Sequence, residues 1–583
     1  MTLARLPFSI GDGAVQHLSG PAAFGLPRGE WLRVDLAPGG HWYGHGFAGR
    51  QPWPLEAEPV VNDAFAVNNC QSPIWMCSAG FVILAETTAR LSVRINAESG
   101  GTLEVRCPGE PVTVRVFRGA DLRDAVRRLL DHLGWPNPPP DKSLLGDCIF
   151  CTWTQYPRCI TQERVLAMAR AVREQGYPCS TITIDDRWES AFGELRFSAD
   201  FPDPAAMVRE LHGLGFRVLL WVTPFINREA RTFERLSRDG LLVRRRGPPS
   251  AGAALLEWWG GTAGLVDLTR PEGRTWYRRQ LLRLMGEVGV DGFKVDGGDA
   301  KYQPAPGESA WHHDRGPSGY ADELLSLFEE IAPGLCETRT MWLSQRRNVL
   351  WRQGGKDSHW GVDNGLAAMV HLGLHMAVMG YDIQIPDMIP GRVQTMVSDL
   401  PLPADELMVR WTEVSALFPI MQFSYFPWNY APETASACLG LARLHKALQG
   451  YQSEHACDRR DPLLRPLWYA APDVEELHVV GDEFLLGPDL LAAPVLCEGR
   501  TARDVLLPPG EWRDGWTGDR RSGRIERHPA PCPGIPLFVR AENTDLFERL
   551  HDILRTIPRG TVPSGPTTST YEAGLDRDLL VTG

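Results

Sequence analysis

The stretch Thr181-Ile-Thr-Ile-Asp-Asp-Arg-Trp188 determines how the rest of the chain is interpreted, because four strand-forming residues run directly into two carboxylates. From about residue 141, strand-sized apolar runs alternate with helix-period segments, which is typical of parallel βα units. Eight such units in succession predict a (β/α)8 TIM barrel. The candidate strands begin near Asp147, Ser180, Phe216, Gly264, Asp291, Leu335, Ser358 and Tyr381.

The flanking segments have a different pattern. Short alternating stretches such as 31–36 and 91–95 predict an N-terminal β-sandwich over residues 1–140, which ends in a proline-rich linker. Short strands and turns follow the barrel, so we assign 141–447 to the barrel and 448–545 to a C-terminal β domain. Residues 546–583 are expected to form a short helix and a flexible tail. The predicted fold is therefore a multidomain α/β protein with a barrel between two β domains.

Composition excludes several classes of protein. The 583 residues are 43% hydrophobic and 23% charged, as in folded globular proteins. The net charge of -12 disfavours nucleic acid and acidic membrane surfaces as partners. The chain shows neither a secretion signal nor an apolar run near the roughly 20 residues of a membrane span, and its twelve cysteines resemble buried thiols. We expect a cytoplasmic protein; the sequence leaves its oligomeric state open, a homo-oligomer included.

No metal site is predicted. Cys148 and Cys151 have the CxxC spacing of zinc and redox sites, but a second pair is missing and the segment has the pattern of a buried strand.

Charged residues recur where the predicted strands end, which is where TIM barrels build their active sites. Lys294 and Asp296 are two residues apart on one strand, so their side chains share a face, and we expect them to pair. The ammonium would keep Asp296 ionised and able to attack an electrophile. A buried structural ion pair is the alternative, although such pairs seldom stabilise a fold enough to explain their presence.

Asp363 is the candidate for a second carboxyl across the barrel mouth. Trp360 and His359 flank it, and their bulk is expected to keep solvent away and favour its protonated form. One ionised and one protonated carboxyl form a nucleophile and general acid pair, about 5–5.5 Å apart in retaining glycosidases and about 6.5–9.5 Å apart in inverting ones. The residues alone leave an equal alternative, in which Asp363 caps the helix that follows it.

Further residues fit a sugar ligand. Asp185 and Asp186 lie at a strand-to-loop junction, where both could accept hydrogen bonds from one polyol. Trp221, Trp153 or Trp360 could pack against the C–H face of a sugar ring.

Taken together, these motifs resemble glycoside hydrolase family 31, and the similarity extends from the first domain to about residue 545. The motifs that carry it include His41-Trp-Tyr-Gly44, Ile184-Asp-Asp-Arg-Trp-Glu189, Leu220-Trp-Val-Thr-Pro-Phe-Ile-Asn227, Phe293-Lys-Val-Asp-Gly-Gly-Asp299, Trp360-Gly-Val-Asp-Asn364 and Gly481-Asp-Glu-Phe-Leu-Leu-Gly-Pro-Asp489.

The resemblance implies a retaining, exo-acting hydrolase of α-linked sugars that needs no metal or organic cofactor. It implies that Asp296 is the nucleophile and Asp363 the acid/base. The residues expected to bind the small oligosaccharide or α-glycoside substrate are Asp185, Asp186, Trp221, Lys294, Arg339, Arg352, Trp360 and Asp387.

The branch of the family that contains the myogenesis-regulating glycosidase and bacterial relatives is the most similar, and it suggests α-galactosides. Two departures matter. The α-glucosidase branch carries an Arg-x-His near the last barrel strand, where this chain reads Pro419-Ile-Met-Gln-Phe-Ser-Tyr425, and the usual Glu three residues after the nucleophile is Asp299. α-Glucosidase or α-xylosidase activity, a transglycosylase and a non-catalytic sugar-binding homologue are the alternatives.

Overall fold

An antiparallel β-sandwich forms the first part of the chain. The structure is a computed structural model, and it describes residues 5–36, 40–65, 69–95, 101–136, 141–157, 159–305, 307–392, 402–457 and 460–565. The six-stranded sheet of the sandwich has the order β2-β1-β4-β10-β9-β6 and its five-stranded sheet the order β3-β11-β8-β7-β5. The strands are β1 (Leu6–Ile10), β2 (Gln16–Leu18), β3 (Ala22–Leu26), β4 (Trp31–Asp35), β5 (Trp42–Gly46), β6 (Val60–Phe65), β7 (Gln71–Cys77), β8 (Phe81–Glu86), β9 (Leu91–Ile95), β10 (Thr102–Arg106) and β11 (Val112–Arg118).

Helix α1 (Leu122–Leu133) connects the sandwich to the barrel. The Asp121 carboxylate accepts a hydrogen bond from the Asp124 N–H at its start, and Gly134 ends it with a φ of 92°. The described part of the linker follows α1. The two antiparallel sheets confirm the predicted sandwich.

The middle of the chain contains thirteen strands and nine α-helices among its described residues. The strands are β12 (Cys148–Cys151), β13 (Cys179–Ile184), β14 (Arg217–Val222), β15 (Phe225–Asn227), β16 (Arg244–Arg245), β17 (Leu255–Trp258), β18 (Gly261–Leu265), β19 (Gly292–Val295), β20 (Ser309–Ala310), β21 (Cys336–Thr338), β22 (Leu350–Arg352), β23 (Gln384–Ile385) and β24 (Gln422–Phe423). The helices are α2 (Gln162–Glu174), α3 (Pro204–Gly213), α4 (Phe233–Arg238), α5 (Pro271–Arg283), α6 (Gly319–Ile331), α7 (Leu366–Val378), α8 (Asp405–Ser415), α9 (Pro432–Ala447) and α10 (Gln449–Cys457).

Eight of these strands pair in parallel as β23-β22-β21-β19-β14-β13-β12-β24. The two edge strands approach each other, because the Ile420 N–H donates to the Gln384 carbonyl over 3.3 Å and Ile389 bridges Phe423. The sheet is therefore a nearly closed barrel, and the predicted TIM-barrel fold is confirmed.

Two strand predictions are wrong. The strand near Gly264, β18, pairs antiparallel with β15 and β17 outside the barrel. Residues 358–364 form turns and bends, and β22 and β24 complete the barrel instead. Asp, Asn and Gly favour turns over a strand in that segment. The two missed strands, β22 with three residues and β24 with two, are too short for periodicity to detect.

The helices cover the barrel as their periodicity predicts. Val165, Met168, Ala169 and Val172 of α2 are buried, as are Met207 and Leu211 of α3. Every residue of α7 except His371 is buried, so the segment before this helix is held against the interior of the molecule. No helix of the described ranges has the length and apolar character required to cross a bilayer.

The last described part is a β domain with a terminal helix. Its larger sheet has the order β25-β26-β27-β32-β29-β30, and β28 pairs with β31. The elements are β25 (Leu464–Pro466), β26 (Phe484–Leu486), β27 (Leu490–Ala492), β28 (Ala502–Leu506), β29 (Trp512–Asp514), β30 (Arg520–Arg521), β31 (Arg524–Pro529), β32 (Leu537–Arg540) and α11 (Thr544–Leu554). The predicted β domain is confirmed; most of the predicted tail, 566–583, lies outside the described residues.

The sandwich packs against the edge of the barrel where its strands end. The Cys70 N–H donates to the Arg339 carbonyl over 3.1 Å, and the Gln51 N–H donates to the Val362 carbonyl over 2.8 Å. Residues of the first domain are thereby placed at the mouth of the barrel.

Candidate active site

A cavity of about 350 Å³ opens at the carboxyl ends of the barrel strands. Strands β13, β14, β19, β21 and β22 each contribute a charged or aromatic side chain within two residues of the strand's carboxyl end. The lining residues are Phe47, Asn69, Trp153, Asp185, Asp186, Trp221, Trp259, Lys294, Asp296, Lys301, Tyr302, Arg339, Arg352, Gly354, Gly355, Asn364 and Met388. Both parts of a TIM-barrel active site, a pocket and convergent charges, are therefore present.

Asp296 is held as a carboxylate in this cavity. Arg339 Nε lies 2.6 Å from its Oδ1, and the Trp221 indole donates to its Oδ2 over 3.3 Å. Burial raises the pKa of Asp296, but the guanidiniums of Arg339 and Arg352 and the ammonium of Lys294 outweigh burial and bring it below the usual value. An ionised oxygen nucleophile is thus available at neutral pH.

The predicted direct pairing of Lys294 with Asp296 is wrong. Lys294 Nζ lies 2.8 Å from Asp185 Oδ2 and 3.5 Å from Glu337 Oε1. Burial disfavours its charge, yet these two carboxylates raise the Lys294 pKa above the usual value. Alternation does place Lys294 and Asp296 on one face of the strand. The long Lys294 side chain, however, reaches carboxylates of the neighbouring strands. It lowers the Asp296 pKa through its charge, without a direct ion pair.

A buried ion network lies below the cavity. Arg352 Nε is 2.7 Å from Glu337 Oε1, and Arg352 Nη1 is 3.2 Å from Asp387 Oδ1. Asp387 is completely buried and also accepts from the Lys356 N–H over 2.8 Å. Asp387 therefore positions Arg352 and does not line the cavity, contrary to the prediction that it binds substrate.

Asp185 and Asp186 have different roles. The Asp185 carboxylate is occupied by Lys294, by the Cys151 thiol over 3.1 Å and by the Asp186 N–H over 2.9 Å. Asp186 Oδ1 is buried and has no hydrogen-bond partner among the described residues. Burial and the charge of Asp185 raise the Asp186 pKa well above the usual value. Only Asp186 is free to bind a ligand hydroxyl.

Asp363 lies at the rim of the cavity rather than inside it. Its side chain is 58% exposed, with Oδ1 3.8 Å from His359 Nδ1. Trp360 packs partly against the core and does not line the cavity. The prediction that Trp360 and His359 shield Asp363 from solvent is therefore wrong. Its neighbour Asn364 does line the cavity, which places Asp363 beside it.

The capping role considered for Asp363 is also wrong. Helix α7 begins after Gly365, and no side chain caps it. The Asn364 side chain instead bonds the Gly355 carbonyl and Asp357 within the loop. The exposed carboxyl of Asp363 is therefore not used by the helix.

Sequence reasoning missed the wall that faces the mouth. Trp259, Lys301 and Tyr302 come from the long excursions after β14 and β19, while Phe47 and Asn69 come from the sandwich. The Trp259 and Tyr302 rings are 5.2 Å apart, and the Arg339 guanidinium lies 5.4 Å above the Trp259 ring. The tandem Trp258-Trp259 at the end of β17 was a signal for this wall, since adjacent side chains of a strand point to opposite faces and two neighbouring tryptophans cannot both enter one core; Asn69 carried none.

Asp299 forms a second buried carboxyl close to Asp296. The Asn69 amide donates to its Oδ2 over 3.4 Å, and its Oδ1 has no hydrogen-bond partner among the described residues. Burial, aided by the charge of Asp296 and opposed by that of Arg339, raises the Asp299 pKa to about 6. Its ionisation is thus linked to that of Asp296.

Known proteins match this chain along most of its length. Models of the glycosyl hydrolases family 31 TIM-barrel domain and C-terminal domain match residues 137–451 and 460–544, and the myogenesis-regulating glycosidase N-terminal domain matches residues 27–130. The myogenesis-regulating glycosidase of Mus musculus is 32% identical over 86% of this chain and 74% of its own length. The 1,3-alpha-isomaltosidase of Kribbella flavida is 28% identical over 78% of this chain and 68% of its own.

A solved structure shows the same fold. The GH31 alpha-xylosidase from a soil metagenome, complexed with xylose, superimposes with a TM-score of 0.75 at 23% identity, over 90% of this chain and 81% of that one. The predicted family is confirmed by the domain matches and by the mouse relative. This chain belongs to glycosyl hydrolase family 31 and is a glycoside hydrolase.

Proposed function

We propose that this enzyme is a retaining, exo-acting α-galactosidase that works by double displacement. The observation that carries the mechanism is the environment of Asp296, an ionised carboxylate held by Arg339 in a confined cavity. Asp296 attacks the anomeric carbon while Asp363 protonates the departing oxygen, and a glycosyl ester forms on Asp296. Asp363 then takes a proton from water, which attacks the ester from the opposite face and releases the sugar with its α configuration.

The exo mode is supported by the shape of the site. The ion network of Lys294, Arg352 and their carboxylates closes the inner end of the cavity. A terminal sugar could enter with its leaving group toward Trp259 and Tyr302 at the mouth. A chain could not pass through.

Asp186 is the group we assign to the sugar hydroxyls. A buried carboxyl oxygen without a partner favours a ligand that supplies a donor, and the Trp221 ring lies on the same cavity. Asp186→Asn keeps the shape of a side chain whose pKa is already raised, so the fold should tolerate it. We expect kcat/KM to fall about a hundredfold, while the exposed Asp200→Asn in the same loop serves as a control.

Fewer observations support galactose as the substrate than support the mechanism. They come from the branch of the family that this chain resembles and from residues 419–425, which replace the Arg-x-His of α-glucosidases. In that segment Gln422 Nε2 donates to Glu337 Oε2 over 2.9 Å, so the position serves the ion network and leaves no cation for a glucose hydroxyl.

A panel of nitrophenyl α-glycosides tests the specificity. We expect kcat/KM for the galactoside to exceed that for the glucoside and the xyloside at least tenfold. Equal or greater activity on either would contradict the galactose assignment and leave the glycosidase mechanism in place. The same assay with an added sugar acceptor distinguishes transglycosylation, which would give a longer saccharide in place of free galactose.

We also propose a cytoplasmic location. The support is the state of the cysteines: eleven described cysteines are free, nine of them buried, which suits a reducing compartment.

A further inference from the structure

A second, smaller cavity lies next to the active site and has no part in the mechanism above. Its volume is about 120 Å³, against about 350 Å³ for the active-site cavity. It is lined by Arg90 of the sandwich, by Arg246 directly after β16, and by the segments after β18 and β19, which contribute Asp314 and Arg315.

Three arginines surround this cavity, and two of them have no counter-ion in the part of the chain that the structure describes. Arg315 lies 3.3 Å from Glu323 Oε1. Within the described ranges, no ion pair involves Arg90 or Arg246, and the buried Arg90 Nε has no hydrogen-bond partner. A buried guanidinium N–H without an acceptor is costly, and such an atom indicates a missing water, ion or ligand.

One carboxylate also lines the cavity. Asp314 Oδ1 accepts a hydrogen bond from the Gly316 N–H over 2.9 Å, which uses it to hold its own loop. With Arg315 paired to Glu323, the two other guanidiniums face the one carboxylate of the lining, in a protein whose net charge is -12. The excess of positive charge is local, and an anion would be attracted to it.

The size of the cavity limits the ligand. About 120 Å³ is the share of roughly four water molecules in the liquid, and sites for larger organic ligands begin at about 300 Å³. Guanidinium groups match the oxygens of phosphate and sulfate. We propose that this cavity binds a tetrahedral oxyanion between Arg90 and Arg246, either as a free ion or as a group on a carbohydrate.

The same arginine connects this cavity to the active site. Arg90 Nη2 donates to the Ala300 carbonyl over 3.3 Å, and the turn Ala300–Tyr302 carries Lys301 and Tyr302 into the active-site cavity. An anion that binds Arg90 competes for this hydrogen bond. The position of the turn, and hence the wall that meets the leaving group, then depends on the anion.

Calorimetric titration of the full chain with inorganic phosphate at low ionic strength tests the site. The variant is Arg246→Gln, because Arg246 is exposed and can be changed without disturbing the core. Arg245→Gln is the matched control, an adjacent exposed arginine that does not line the cavity. We expect saturable binding that weakens at least about tenfold in R246Q and is unchanged in R245Q.

Two results would overturn the proposal: no saturable binding, or an equal loss in both variants, since the latter indicates general attraction to the basic loop. A sugar phosphate is titrated in parallel. Tighter binding than inorganic phosphate identifies a carbohydrate-borne group as the ligand, and equal or weaker binding identifies the free ion. These titrations need no glycoside, so their outcome is independent of the sugar specificity proposed above.

The link to the active site has its own readout. With saturating phosphate, KM for a hydrolysed glycoside should change at least twofold in the wild type and not in R246Q. If phosphate binds but KM does not change, the anion site is supported and its coupling to the turn at residues 300–302 is wrong.

Discussion

Lys294 Nζ lies 2.8 Å from Asp185 Oδ2, so the buried ammonium on the strand that leads to Asp296 is the direct counter-ion of a different carboxylate. Asp296 instead pairs with Arg339, which directly follows the neighbouring strand β21. The two cations thus have different roles: Lys294 supports the floor of the cavity, and Arg339 lowers the pKa of Asp296, the proposed nucleophile.

Replacing Lys294 should therefore destabilise the fold. Lys294→Met leaves Asp185 without its cation and removes one of the two cations near Glu337, so we expect the free energy of unfolding to fall by about 3–5 kcal/mol. Urea unfolding measures this loss. Lys301→Met is the control, because Lys301 is an exposed lysine on the same cavity and should change stability by less than about 0.5 kcal/mol. Similar losses in the two variants would show that the buried pair is not needed.

Replacing Arg339 should change the pH profile. Asp296 reacts as a carboxylate, and Arg339 lowers its pKa. In Arg339→Gln the pKa of Asp296 rises, so the acidic limb of the kcat/KM profile moves to higher pH. The exposed Arg209→Gln should leave the limb unchanged. An unmoved limb in R339Q, with activity retained, would show that another group controls the ionisation of the nucleophile.

Asp299 should make stability depend on pH. Its pKa is raised to about 6 in the folded protein, against about 3.9 in an unfolded chain. The folded state thus binds the proton more tightly, so the contribution of Asp299 is present at low pH and is lost as the pH rises through about 4 to 6. The loss is about 3 kcal/mol.

Asp299→Asn removes this dependence. The unfolding free energies of the wild type and the variant are measured at pH 4 and pH 7. Between these two pH values the wild type should lose about 2 kcal/mol relative to the variant, because Asp299 of the unfolded chain is already about half ionised at pH 4. A constant difference across this range would mean that Asp299 titrates normally.

A covalent intermediate should be detectable on Asp296. A fluorinated galactosyl fluoride slows the breakdown of the glycosyl ester, so mass spectrometry of the peptides should show one adduct, on Asp296. Prior incubation with galactose should protect the enzyme. An adduct on Asp186, which shares the cavity, would reassign the nucleophile.

Part of this structure could be predicted from local pattern. The strand before Asp185 and the strand that carries Lys294 are short, almost fully buried runs typical of a parallel sheet, and helix α2 has the apolar spacing of an amphipathic helix. Six of the eight predicted substrate-binding residues line the cavity, because the carboxyl ends of parallel strands meet at one edge.

What could not be predicted depends on contacts distant in sequence. A long side chain such as Lys294 can choose among several carboxylates, and strand alternation does not say which one it reaches. Asn69 reaches Asp299 only because the sandwich docks on the barrel mouth. Asp363 is exposed because it lies in a loop that is held by the hydrogen bond from the Asn364 amide to the Gly355 carbonyl. Such a loop has no periodic sequence pattern from which its shape could be predicted.

The division of labour between Asp296 and Asp363 is the central claim, and the anomeric configuration of azide products tests it most directly. With Asp363→Ala and a substrate that has a good leaving group, azide attacks the ester on Asp296, so NMR should show the α-galactosyl azide. With Asp296→Ala, azide takes the place of the missing carboxylate and attacks the substrate itself, so the β-azide should form. The same anomer from both variants, or full activity of Asp363→Ala without azide, would contradict the account.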